Sequence, residues 1–192
     1  MRADAARNHA AIVTAAREAF ESDGPDVPLE EVARRAGVAP STLYRRFAGR
    51  DELVAEVFAA HFTEEIEPVL RRAGAADDPG RGLAEALDGI AAAVVRHRGV
   101  YKLAHDRGAI GSDVVARFLE PLDALLARAR AAGAVRDDLV AHDVPALVMM
   151  LVATAARPGQ EVDPARWDRY LALVLDAMAP GARRPLPPLP PH

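Results

Sequence analysis

No cysteine occurs in the 192 residues, which excludes a disulfide framework, a thiolate metal site and a cysteine nucleophile. No long apolar run follows the charges of the N-terminal MRADAARNHAAIV, so no secretory signal is expected. The longest apolar stretch, ALVMMLVATAA at 146–156, is too short to cross a bilayer. No convincing period-two alternation occurs, so no strands are expected. HExxH, a Glu-x-x-His pair, GxSxG and a phosphate-cradling glycine loop are also missing, so no catalytic residues, no metal and no cofactor are expected. Lysine appears once, at Lys102, a bias that fits a GC-rich genome better than a function. These absences leave a soluble, cytoplasmic, all-α protein with no membrane association.

A local absence is more informative. Residues 32–50 hold Arg34, Arg35, Arg45, Arg46 and Arg50 and no acid. The whole chain is at −4, so with +5 in this stretch the rest stands at −9. Total charge gives no hint of nucleic acid, but its distribution does.

The remaining pattern is helical. Ile12, Ala15, Ala16, Ala19 and Phe20 fall at i, i+3, i+4, i+7 and i+8, and Asp23-Gly24-Pro25 stops that segment. A second helix starts at Pro28, with two glutamates near its positive end, and stops at Gly37. A third runs from Pro40 to about Phe47. A fourth runs from about Arg50 to Arg72, and AGAADDPGRG at 73–82 breaks the chain. Further helices are expected around 83–96, 100–106, 114–126 (bent at Pro121), 143–156 and 164–178. The segment at 143–156 is apolar all round and so should be buried on several sides. The tail PGARRPLPPLPPH reads as disordered or polyproline-like.

Two short helices joined through a glycine turn at 28–47 describe a helix-turn-helix. Ala33 is small where the second helix must cross closely, and Gly37 permits a positive φ. Val38 and Leu43 plug the angle, and Phe47 lies one turn beyond Leu43. The opposite face presents Pro40, Ser41, Tyr44 and Arg45. A helix entering a major groove by its N-terminal end needs small or hydrogen-bonding groups there. Arg45 can reach guanine, while Ser41, Thr42 and Tyr44 offer hydroxyls to phosphate oxygens. Tyr44 packing on the first helix, and the arginines as plain surface charge, are the alternatives.

Residues 7–58 resemble the TetR family of bacterial transcription regulators. The resemblance rests on Ile12, Phe20 and Gly24, then LEEVARRAGV, STLYRRF, and a basic residue before DELV. The family usually has lysine where Arg50 stands, and often serine or threonine where Ala39 stands. The resemblance implies a homodimer, with a DNA-binding domain at 1–50 and a helical regulatory and dimerisation domain at 51–180. The Pro-rich tail, 181–192, follows. DNA contacts are then expected from Pro40, Ser41, Thr42, Tyr44, Arg45, Arg46 and Arg50, on a pseudo-palindromic double-stranded operator.

It also implies a four-helix dimer interface from the last two helices, for which Trp167, Tyr170, Leu171, Val174 and Met178 are the candidates. An apolar effector pocket is implied as well, with Phe58, Phe62, Ile66, Tyr101, His105, Phe118 and Met149 as candidate lining. The expected function is a repressor released from its operator by a small molecule. Alternatives are a helical protein-interaction module with a vestigial helix-turn-helix, and a helical enzyme using His61 and His105. His61 and Glu65 share a helix face, a spacing that reads as a surface interaction rather than a metal site.

Overall fold

The structure, a computed structural model, describes residues 2–155, 162–181 and 184–187. Among them there is no strand, and no helix is long and apolar enough to cross a membrane. The chain divides into two compact units. One runs from the N-terminus to Glu64 and adds Arg96–Val115; the other comprises Glu65–Val95 and the chain from Ala116 onward.

The first unit holds α1 (Arg2–Ser22), α2 (Leu29–Arg35), α3 (Pro40–Arg46), α4 (Arg50–His61) and α7 (Arg98–Asp106). Helix α1 buries Ile12, Ala15, Ala16, Ala19 and Phe20, the stripe its periodicity predicts. It packs on α2, α4 and α7. Gly24, at φ 94°, turns the chain after α1. Helix α2 buries Leu29, Val32 and Ala33. Glu52, third residue of α4, reaches back to accept from the Ala48 N–H at 2.5 Å, satisfying a donor that precedes the helix.

The fourth segment is not one regular helix. After α4 a π turn spans Phe62–Ile66, and α5 (Glu67–Gly74) resumes the α pattern with Pro68 in its first turn. Proline has no N–H to return to the carbonyl four residues back, so a wider turn is tolerated just before it. The boundary between the units falls inside this π turn, at Glu64/Glu65, fourteen residues beyond the expected limit at residue 50.

The second unit holds α5, α6 (Pro79–Arg96, all but its last residue), most of α8 (Ser112–Ala131), α9 (Asp143–Ala155) and α10 (Pro164–Met178). Leu83, Leu87, Leu122, Leu125, Leu126, Val144, Val148 and Leu151 are buried. Helix α8 continues through Pro121, with Leu122, Leu125, Leu126 and Ala129 buried on one side of it. Helices α5 and α6 approach closely: a Cβ at Gly82 would lie 2.6 Å from the Ala73 carbonyl oxygen. Helix α10 is capped by Asp163, which accepts from the Ala165 N–H at 3.0 Å. Of the Pro-rich tail, 184–187 are described. The Leu186 N–H donates to Asp138 at 2.7 Å, and Arg136 donates to the Arg184 carbonyl at 2.7 Å. Its remaining prolines at 188, 190 and 191 lie outside the described residues.

Candidate nucleic-acid interface

The turn between α2 and α3 is built by its backbone. The Val38 N–H returns to the Ala33 carbonyl at 3.0 Å, and the Gly37 N–H to the Arg34 carbonyl at 3.1 Å. This paired closure ends a helix when the residue after the cap is left-handed, and Gly37 has φ 68°. Helix α3 then starts at Pro40, with Ala39 as an extended N-cap that supplies no side-chain bond. The pair is held by Ala33, Leu43 and Phe47, all buried, with Val38 half-buried.

The other face of α3 is open. Pro40, Ser41, Tyr44, Arg45 and Arg46 are exposed and Thr42 is half-buried. Tyr44 is 49% exposed, and its hydroxyl donates to Glu30 of α2 at 2.8 Å. Holding that proton raises the Tyr44 phenol above its ordinary range. Glu30 is lowered, first by its own backbone N–H and then by Tyr44.

The five arginines divide sharply. Arg34 donates to both oxygens of Glu31, at 2.7 and 2.6 Å. Arg35 donates to Glu31 at 2.8 Å and to Ser22, and pairs with Asp23. Under the hydrogen bonds of Arg34 and then Arg35, the Glu31 carboxyl falls to about 2. Arg46 donates to His9 Nδ1 at 3.1 Å. Arg50 turns inward: its guanidinium donates to the carbonyls of Pro25 and Val27, at 2.8 and 2.5 Å, and lies 5.9 Å from the centre of the Phe20 ring. Arg45 alone of the five makes no side-chain hydrogen bond or ion pair among the described residues. The acid-free stretch is therefore not one basic patch, because acids outside it, Glu31 and Asp23, hold two of its cations.

His9 on α1 was not anticipated. Its ring stacks on Phe47 at 5.4 Å, and Nε2 meets Glu56 of α4 at 3.0 Å. With Arg46 donating to Nδ1, the ring proton sits on Nε2 and points to Glu56. One side chain thus ties α1, the end of α3 and α4. Its spacing from Ile12 and Ala16 put it beside the buried stripe, and that was the available signal.

The candidate effector residues fall in both units. Phe58 and Phe62 are buried, Tyr101 is half-buried and His105 is exposed in the first; Ile66 is buried, Phe118 half-buried and Met149 53% exposed in the second. Tyr101 meets the fully buried His61, Nε2 to hydroxyl, at 3.2 Å. The His97 ring lies 4.5 Å from that of His61, and its Nδ1 meets Glu21 at 2.5 Å. A shallow depression of about 480 Å³ is lined by Pro25, Asp26, Asp51, Leu103, Asp106 and Arg107, none of them candidates. No group of three or more His, Asp or Glu fit for a metal occurs among the described residues.

Of the candidate interface residues, Trp167, Tyr170, Leu171 and Val174 are half-buried, and the Trp167 indole donates to Asp88 at 2.7 Å. Met178 is 2% exposed within the single chain, so it has almost no surface to offer. Met149, Met150 and Leu173 are 53, 61 and 54% exposed on α9 and α10, two helices that pack on each other. Helix α9 is therefore covered by its own chain on one side only, through Val144, Val148, Leu151 and Val152.

An α2–turn–α3 unit closed at Gly37 on a buried leucine and phenylalanine, with a polar and cationic outer face, is a helix-turn-helix DNA-binding head. Residues 12–57 match the profile of bacterial regulatory proteins of the tetR family. Residues 78–180 match that of the SbtR-like transcriptional regulator C-terminal domain, more than half the chain. The protein belongs to the TetR family of transcriptional regulators, whose members are DNA-binding regulators and not enzymes. Similar solved structures include a TetR transcriptional regulator from Streptomyces coelicolor (29% identity, 91% of this chain and 99% of that one, TM-score 0.62). Another is a TetR transcription regulatory protein from Mycobacterium vanbaalenii (29%, 93% and 98%, 0.62). The fatty acid degradation regulator FadR from Bacillus halodurans shares the fold (16%, 91% and 96%, 0.65). A search of curated proteins returns no match.

Proposed function

We propose that the protein is a cytoplasmic, dimeric repressor that binds a pseudo-palindromic operator and leaves it when a small-molecule effector binds the regulatory helices. The reading of DNA rests on one observation: Arg45 is exposed and uncommitted beside Ser41 and Tyr44, while the four arginines around it are engaged within the chain. A guanidinium with no internal partner gives up no bond on entering a major groove, where it can pair bidentately with guanine. Pro40, Ser41 and Thr42 line the approach, and Tyr44 completes the face.

Dimerisation is supported by the apolar side chains left open on α9 and α10, Met149, Met150 and Leu173. A twofold axis there makes the same patch meet itself, and dimeric helix-turn-helix proteins read half-sites about one DNA turn, roughly 34 Å, apart. Half-buried Trp167, Tyr170, Leu171 and Val174 on α10 border that patch. In this reading, 1–50 is the DNA-contacting part and 51–180 the regulatory and dimerisation part. The effector acts by binding better to the head separation that DNA cannot accept, since only differential affinity shifts a conformational equilibrium.

Selection of duplexes from a random pool by the purified protein tests the reading. An inverted repeat is expected, with a guanine in each half-site that loses its preference in Arg45→Ala. Recovery of unrelated sequences at every round contradicts operator recognition.

A further inference from the structure

We propose that Arg50 is a positioning residue which clamps the α1–α2 loop to the start of α4, and that it makes no phosphate contact. The proposal deepens the reading of α3 as a DNA-binding face and rests on it for the second statement only.

Arg50 is the first residue of α4, and the loop it grips is Asp23–Pro28. Asp23 at its start is held by the Ala19 carbonyl and by Arg35, but the loop beyond it has little means of fixing itself. Pro25 and Pro28 carry no N–H, and the internal bond, from the Val27 N–H to the Gly24 carbonyl, is long at 3.4 Å. Pro28 caps α2 without any side-chain bond. Val27 and Leu29 anchor the loop by burial, but burial is not directional.

The guanidinium supplies the direction. Nη1 donates to Pro25 O at 2.8 Å and Nη2 to Val27 O at 2.5 Å. Phe20 at the end of α1 lies beneath it. One side chain thereby joins α4, the entry to α2 and the end of α1. Two acceptors two residues apart suit a planar fork with paired donors; a lysine ammonium is a single point on a flexible stem. Two of the five guanidinium N–H groups are committed to these carbonyls, so a phosphate would have to compete with them for the orientation of the fork.

Hydrogen exchange and salt dependence decide it, using the full-length dimer and its selected operator. In DNA-free protein, Arg50→Ala and Arg50→Lys are both expected to speed exchange of the amides at residues 24–32 at least about tenfold, the loss expected from one or two charge-assisted bonds. Unchanged exchange in both variants overturns the clamp, whether or not any operator is found. On operator DNA, both variants are expected to weaken binding with the slope of log K against log salt unchanged. A slope smaller in magnitude by about 0.9 in Arg50→Ala, restored by Arg50→Lys, is the signature of a phosphate contact and overturns the second statement. Loss of operator binding by the wild-type protein would sink the DNA-binding reading and leave the clamp to the exchange result.

Discussion

At the scale of residues, the basic stretch 32–50 is an exercise in deciding which charges are available. Sequence shows five arginines without a neighbouring acid; it does not show that Glu31 and Asp23 fold back on two of them. Glu31 is the testable member. Its folded carboxyl sits at about 2 against an ordinary 4.5, through Arg34 and Arg35. A depressed folded value contributes stability above the unfolded value, lost as pH falls through the folded one. The stability gap between the wild type and Glu31→Gln is therefore expected at neutral pH, to shrink between about pH 4.5 and 2, and to vanish below. Equilibrium denaturation of both proteins across that range checks it, and a gap independent of pH would refute the assignment. Glu31 is half-buried but Arg34 is largely exposed, so solvent screens the cluster and the gap itself will be small. Tyr44 teaches the same lesson. Its exposure is readable from helical spacing, but its hydrogen bond to Glu30 joins positions fourteen apart and has no signature in the sequence.

At the scale of elements, punctuation was legible and hydrogen-bond detail was not. Gly24-Pro25, Gly37 and the prolines at 28, 40 and 164 mark helix ends in the sequence, and α1, α2, α3 and α10 begin or end there. The π turn at Phe62–Ile66 was missed although Pro68 announces it, because the apolar stripe from Val54 to Leu70 reads smoothly across. Close backbone approaches are invisible to periodicity as well. Gly82 and Gly74 are both helical glycines, yet a Cβ at Gly82 meets the Ala73 carbonyl at 2.6 Å while one at Gly74 meets nothing. Gly82→Ala is expected to destabilise by about 1–3 kcal/mol, since the obstacle is backbone. Gly74→Ala is expected to be neutral or stabilising by up to about 1 kcal/mol. Thermal or urea unfolding of the two variants checks the difference in sign, and equal effects would mean the approach is not as tight as described.

At the scale of the whole molecule, the family and its all-α architecture were readable from the recognition segment STLYRRF and the helical period. What burial meant for α9 was not. An apolar-all-round helix must be covered, but sequence cannot say whether its own chain or a second copy does it. Met149 and Met150 are open while Val144 and Val148 are closed, which assigns the two faces. Met150→Asp combined with Leu173→Asp is expected to give monomers by sedimentation and to lower affinity for a two-half-site operator at least about tenfold, because paired heads bind with high effective concentration. A variant that remains dimeric would place the interface elsewhere.

If α3 reads DNA through Tyr44 and Arg45, a footprint of the selected operator must differ between the wild-type protein and Tyr44→Ala combined with Arg45→Ala. Helical circular dichroism and sedimentation should show both proteins folded and in the same oligomeric state. A protected inverted repeat is expected for the wild type and none for the double variant, with each lost base contact removing about 1–3 kcal/mol of discrimination. Undiminished protection by the double variant would contradict it.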